Sequence, residues 1–286
     1  MDSLKEMLSP LPITDTRTLF RPVSSALVTL VRGLPPEGWL RPTIAGSWVV
    51  RDVLAHLVDL TFRRLSFHRD RMPPPPPSRP IESEQDFVDF INGLNRDFVE
   101  ATRRCSPQVL TDLFEKASGD LADFFERLPI DAPALFPVSW AGERTSQGWF
   151  DVGREFTELW HHQAQIRLAV GAAPLGDPRC LRAVLEIALR GLPHAYRDVH
   201  AAAGSSLVID IHGPAGGTWT LLREADGWSI QTGRPDRADA SAGMSDENAW
   251  RLLFNALSKA QATAAVAVEG NGSLVTALLS ARSVIV

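Results

Sequence analysis

The sequence predicts an all-helical N-terminal domain followed by a small α+β domain. Over most of the first 200 residues, apolar side chains recur at intervals of three and four, which is the period of an α-helix. After residue 204 the pattern changes to short β-rich runs separated by glycine-containing turns. A chain of 286 residues is also long for a single core. We therefore expect two domains, at residues 1–203 and 204–286.

Five helical segments are predicted in the first domain. They run from 15 to about 33, from the N-cap Ser47 to about 71, from about 83 to 128 with a break at Ser106-Pro107, from about 149 to the C-cap Gly171, and from about 178 to 200. The run PPPPPSRP at 73–80 cannot be helical, because proline lacks the backbone donor and disfavours helix in the residue before it. It is predicted to be a surface loop.

The second domain should begin with a strand meander. Its predicted strands are Leu207–Ile211, Thr218–Leu222 and Trp228–Ile230. Helical segments at 246 to about 260 and 272 to about 281 flank an apolar run at 264–268. The stretch HAAAGSS at 200–206 is predicted to be the linker between the domains.

Composition excludes several classes of function. The net charge is −5 and the basic residues form no block, which argues against a nucleic-acid partner. No N-terminal leader pattern and no run of about 18 apolar residues is present, so no membrane partner is expected. Cys105 and Cys180 have no metal or disulfide spacing, which favours packing roles and a reducing, cytoplasmic location. Most of the 29 basic residues are arginine, as is typical of a GC-rich bacterial source.

The segment EFTELWHHQAQI at 155–166 contains candidate metal-binding residues. Glu158 and His162 lie four residues apart, so on a helix they share one face and can reach one ion. His56, in an apolar helical context, is the candidate third donor. Two imidazoles and one carboxylate with open positions match a catalytic zinc site, and nickel or another divalent ion is also compatible. Candidates for hydrogen bonds to these ligands are Asp52, Asp59, Glu155 and Gln165.

Other interpretations of the same residues remain open. A glutamate four residues before a histidine is most often a solvated pair, and a single histidine in an apolar helix is more often a satisfied core residue. His161 could simply be exposed.

Several segments resemble one known family. These are WVVRDVLAHL at 48–57, REFTELWHH at 154–162 and AVG at 169–171. They resemble the mycothiol-dependent maleylpyruvate isomerases, which belong to the DinB-like metalloproteins. Residues 238–240 and 268–274 are similar to parts of the sterol-carrier-like domain of those isomerases. The resemblance implies a DinB-like four-helix bundle that holds zinc at His56, Glu158 and His162. Mycothiol or another low-molecular-weight thiol would then be the cofactor, with a small-molecule substrate.

One position departs from the family pattern. Gln165 stands where family members commonly have an aspartate, so a charge is missing. The resemblance also implies a basic residue from the small domain in the active site, for which Arg223, Arg234 and Arg237 are candidates. We expect a metal- and thiol-dependent isomerase or thiol transferase. The alternatives are a metal-hydroxide hydrolase on the same site and a non-enzymatic module that binds a metal and an apolar ligand.

Overall fold

The protein combines helices with one mixed sheet. The computed structural model describes residues 8–284, apart from the side chain of Glu84. Two compact units are present: one comprises the described residues at 16–135 and 158–176, and the other those at 8–15, 136–157 and 177–284. We call them the helical unit and the sheet unit. The boundary expected at residue 204 stays a prediction.

The helical unit is built from segments that the apolar periodicity predicts. They are α1 (Phe20–Arg32), α2 (Val50–Arg63), α3 (Glu84–Thr102), α4 (Pro107–Arg127) and the C-terminal part of α5 (Gly148–Val170). Helices α1 and α2 both pack on α4. The break between α3 and α4 lies where it is predicted, because the Ser106 side chain accepts a hydrogen bond from the Val109 N–H at 3.2 Å and Pro107 is the first helical residue. Helix α5 ends at Gly171, whose φ of +69° a glycine adopts without strain.

Helix α2 begins later than the sequence predicts. Ser47 is not its N-cap; instead the Asp52 carboxylate accepts a hydrogen bond from the backbone N–H of Val49 at 3.3 Å. The helix continues as a π-helical turn at Arg64–Arg69. The helical segment therefore ends close to residue 71, as predicted. The proline-rich run at 73–80 is exposed and contains neither helix nor strand, as predicted.

A buried amide ties α5 to α1. Gln163 is fully buried, and in the amide orientation that satisfies its neighbours it donates to Val23 O at 3.0 Å and accepts from Leu27 N at 3.1 Å. A polar side chain at this depth is stabilised only by such partners. Gln163 therefore fixes the position of the α5 turn that carries His162.

The sheet unit contains six described strands in the order β1-β4-β3-β2-β5-β6. They are β1 (Ser9–Pro10), β2 (Ser206–His212), β3 (Gly217–Arg223), β4 (Trp228–Thr232), β5 (Ala240–Ser245) and β6 (Ala267–Gly270). The predicted meander β2–β4 is confirmed, with antiparallel pairing throughout. Strand β5 pairs with β2 in parallel, and β1 extends the sheet beyond β4. Neither β1 nor β5 is evident from the sequence pattern.

The helices of the sheet unit differ in length from the prediction. They are α6 (Pro178–Leu189), α7 (Leu192–Ala195), α8 (Asp246–Leu253), α9 (Lys259–Ala265) and α10 (Gly272–Ser280). The single helix predicted at 178–200 is wrong, because the chain leaves the helix at Arg190-Gly191 and again after Ala195. Tyr196 is fully buried beside this break and donates to Leu274 O at 2.6 Å. Within residues 8–284, none of the helices is both long and apolar enough to cross a membrane.

Candidate metal centre

The three predicted donors lie together in the helical unit. His56 is on α2, and Glu158 and His162 are one turn apart on α5. One potential ligand atom from each residue lies within 4.8 Å of the others. The carboxylate oxygen Oε2 of Glu158 is 3.4 Å from Nε2 of His162. The rings of His56 and His162 meet edge to face, with their centroids 4.8 Å apart. Their role as metal ligands stays a prediction, but the fold provides the required convergence.

Burial and charge set the protonation states of two of these groups. His56 is 4% exposed, and burial together with the neighbouring His162 holds the pKa of its imidazole well below 6.5. Burial raises the pKa of the Glu158 carboxyl, but its interaction with His162 and the other imidazoles lowers it more, so the net pKa is below its usual value. A neutral imidazole and a carboxylate are the forms that bind a divalent cation.

The orientation of His162 is fixed by a hydrogen bond. Its Nδ1 lies 2.8 Å from Oε1 of Gln165, and an amide oxygen can only accept. Nδ1 therefore carries the hydrogen, and in the neutral ring Nε2 presents a lone pair towards the Glu158 carboxylate. Two lone pairs that face each other at this distance are stabilised by a cation between them. The donor set thus fits a divalent ion.

The other three candidates for supporting hydrogen bonds have different described partners. Asp52 caps α2 through Val49. Asp59 is ion-paired with Arg63, and burial nevertheless raises the pKa of its carboxyl above 3.8. Glu155 lies 3.2 Å from the guanidinium of Arg154. Gln165 contacts the His162 imidazole directly.

The arginine candidates all belong to the sheet unit. Arg223 ends β3 and donates to Glu224 O at 2.9 Å, Arg234 is ion-paired with Asp210 on β2, and Arg237 is exposed before β5. Their role in substrate binding stays a prediction.

Two aromatic rings border the donors and were not predicted from the sequence. Trp48 lies 5.0 Å from the His56 ring and 6.4 Å from the His162 ring, between ring centroids. His161 is buried, so the interpretation of an exposed side chain is wrong, and its ring lies 4.0 Å from that of His162. His162 is also buried, which excludes a freely solvated Glu158–His162 pair. Sequence spacing gives no signal for the contact between Trp48 and His162, because it depends on how the α2 segment and α5 face each other.

Comparison with known proteins decides the family. The sequence model of the mycothiol maleylpyruvate isomerase N-terminal domain matches residues 20–167, which is more than half of the chain. The chain belongs to this family. The mycothiol maleylpyruvate isomerase match includes His56, Glu158 and His162. No curated protein matches the chain.

One solved structure extends the likeness in fold beyond the matched domain. The crystal structure of the mycothiol-dependent maleylpyruvate isomerase has a TM-score of 0.52 at 15% identity, over 88% of this chain and 91% of the other. A crystal structure of that isomerase with one histidine replaced by alanine has a TM-score of 0.47 at the same identity and coverage. At 15% identity, the likeness to the first of these structures concerns the fold. The chain shares the mixed helix-and-sheet architecture of that isomerase.

Proposed function

We propose that this protein is a metal-dependent isomerase or thiol transferase that uses mycothiol or another low-molecular-weight thiol on a small-molecule substrate. His56, Glu158 and His162 hold the ion; zinc is the first candidate, followed by nickel and other divalent ions. The supporting observation is that these three donors lie within 4.8 Å of one another inside the segment matched to the family. The helical unit is then a DinB-like four-helix bundle, and the sheet unit is sterol-carrier-like.

The donor set leaves room for a reactant. Two imidazoles and one carboxylate are one of the ligand sets found in catalytic zinc sites, where a further position takes water or substrate. Gln165 holds the His162 ring so that Nε2 faces the shared centre. Glu158 brings the negative charge to a set whose imidazole at His56 is neutral.

The chemistry of a thiol explains why a cation is needed. A free thiol has a pKa of about 8.5 and is mostly protonated, hence weakly nucleophilic, at pH 7. A divalent ion at the triad would supply the positive charge that favours the thiolate. A thiol bound there would supply a nucleophile for reversible addition to a C=C bond that is activated by a carbonyl group. The addition would move the π electrons onto the carbonyl oxygen, leave a single bond free to rotate, and be reversed by loss of the thiolate.

The buried cysteine of this protein, Cys180, is unsuited to this step. Both cysteines are free, and burial raises the pKa of the Cys180 thiol to about 11. The proposed nucleophile is a small thiol from solution, which fits a cytoplasmic location where such thiols stay reduced.

Metal content tests the triad. Protein purified without a metal-binding tag or chelator is analysed by mass spectrometry as wild type, His56→Ala and His162→Ala. His68→Ala is the matched control, because His68 is equally buried at 4% exposure and packs its ring against Phe124. We expect about one divalent ion per chain in the wild type and the control, and loss in both triad variants. A wild type that stays metal-free after reconstitution would contradict the proposal.

Thiol dependence tests the reaction. The metal-loaded protein is assayed on maleylpyruvate with mycothiol, with a different small thiol and without thiol. Conversion that requires a thiol supports the proposal. Turnover without any thiol would instead favour the hydrolase, and metal binding without turnover, together with a co-purified apolar molecule, would favour the binding module.

A further inference from the structure

Trp48 contacts both imidazoles of the triad. Its ring is tilted by 45° to that of His56 and by 40° to that of His162, at centroid distances within the range of aromatic pairs. We propose that Trp48 is a positioning residue that fixes the imidazole of His56 for metal binding. This inference rests on the proposed function, and it adds a residue that acts through a ligand without touching the ion.

We assign Nε2 of His56 as its ligand atom, as for His162, and its second ring nitrogen then lacks the polar contact that His162 has. Ligating histidines are usually oriented by a hydrogen bond at the second ring nitrogen, and Gln165 provides one for His162. Within residues 8–284, by contrast, the buried Nδ1 of His56 has no hydrogen-bond partner. The ring contacts of His56 are with Trp48 at 5.0 Å and with His162 at 4.8 Å. Since His162 is itself a ligand, Trp48 is the contact that can set the ring plane from outside the donor set.

The backbone holds Trp48 in a closed loop. Its carbonyl accepts hydrogen bonds from the Thr43 N–H at 3.0 Å and the Thr43 hydroxyl at 2.7 Å, and its own N–H donates to Ala45 O at 3.1 Å. Gly46 provides the turn with a φ of +62°, a conformation in which other residues are strained. The chain enters α2 immediately afterwards. Trp48 is therefore fixed to the same helix that carries His56, eight residues further on.

Cobalt(II) is the probe for this role, because its visible absorption reports ligand geometry as well as occupancy. Apoprotein is titrated with Co²⁺ as wild type, Trp48→Phe and Trp48→Leu. The matched control is Trp149→Leu, which removes a half-buried indole whose ring contacts are with Phe150 and Arg190. We expect Trp48→Leu to bind about tenfold more weakly, with an altered spectrum, as for other losses of a ligand's outer contact. Trp48→Phe keeps an aromatic face and should restore most of both properties.

A second variant covers the case in which Trp48→Leu does not fold. Thr43→Val retains the indole and removes the hydroxyl that donates to Trp48 O and accepts from the Ala45 N–H. It should also weaken Co²⁺ binding, but by a smaller factor than Trp48→Leu does. A normal affinity and spectrum in folded Trp48→Leu, or in Thr43→Val if the former is unfolded, would overturn the inference.

The same titration distinguishes the proposed metal site from the proposed role of Trp48. If His56→Ala and His162→Ala lose Co²⁺ while the Trp48 variants bind normally, the proposed metal site stands and the role of Trp48 is wrong. If the wild type itself binds no Co²⁺, the proposed function fails, and the inference about Trp48 fails with it.

Discussion

The hydrogen bond between Gln165 and His162 gives the most direct test of the site. We predict that Gln165→Leu weakens zinc binding by 10- to 100-fold, the range typical for removal of an oxygen that orients a ligating histidine. The structure gives the reason: Nδ1 of His162 donates to the amide oxygen at 2.8 Å, and Gln165 is 4% exposed. Water therefore has little access to replace the lost acceptor.

The magnitude follows from a buried donor that is unsatisfied only when metal is bound. In the metal-free variant the ring hydrogen can move to Nε2, which faces the Glu158 carboxylate, whereas an ion at Nε2 requires the hydrogen on Nδ1. Leaving such a group without a partner costs about 1–3 kcal/mol. A tenfold change in affinity corresponds to about 1.4 kcal/mol, so this cost converts to roughly 5- to 150-fold, which brackets the expected loss. The leucine side chain is similar in size and apolar, so the change removes the acceptor without opening a large cavity.

A competition titration with a chromophoric zinc chelator measures the effect. Gln165→Glu is the matched control, because the carboxylate keeps an acceptor at the same chain length and adds negative charge; it should bind zinc at least as tightly as the wild type. Equal zinc affinity for wild type and Gln165→Leu would refute the prediction, because the 2.8 Å contact would then not orient the His162 ring.

Four further outcomes test other parts of the structure. Gln163→Leu should lower the free energy of unfolding by about 1–3 kcal/mol in a urea titration, because two backbone partners on α1 lose their amide; an unchanged midpoint would contradict this contact. Tyr196→Phe should cost about 1–3 kcal/mol for the lost donor to Leu274 O, measured in the same way. Cys180, with its pKa raised to about 11, should resist iodoacetamide at pH 8 until the protein is unfolded, as followed by peptide mass spectrometry; rapid labelling in the folded state would refute its burial. Asp59 has a folded pKa above 3.8, so its protonated form favours folding and its contribution to stability falls as pH rises above 3.8. As pH rises above 3.8, the free energy of unfolding of Asp59→Asn should therefore increase relative to that of the wild type. A difference in unfolding free energy that does not change with pH would contradict the raised pKa of Asp59.

Local signals in the sequence predict much of the secondary structure. The break between α3 and α4 follows from Ser106-Pro107, and the end of α5 follows from Gly171, since both motifs act within one helical turn. Ser47 is also a residue type that commonly caps helices, but it does not cap α2. It lies in the Thr43–Trp48 loop, and Asp52 caps α2 from inside the helix. Local propensity cannot choose between two candidates that are this close in sequence.

Pairing between distant segments accounts for the strands that sequence reasoning misses. Strand β5 is made of the small residues ASAGMS and lacks the β-branched and aromatic side chains typical of strands. Its backbone is nevertheless paired with β2 on one side and β6 on the other, which satisfies its hydrogen bonds. Strand β1 likewise depends on β4, more than 200 residues away.

The sequence alone determines which donors exist and that Glu158 and His162 share a helical face, because the α-helix repeats every 3.6 residues. It also contains the segments that mark the family. The tertiary structure decides that a ring nitrogen of His56 on α2 lies within 4.8 Å of donor atoms on Glu158 and His162. It also decides that Gln165 contacts His162 while Asp52 and Asp59 have other partners, and that Trp48 lies against both imidazoles. The physical reason is one of range: helical periodicity acts over a few residues, whereas the meeting of two helices about a hundred residues apart is fixed only when the whole unit packs its core.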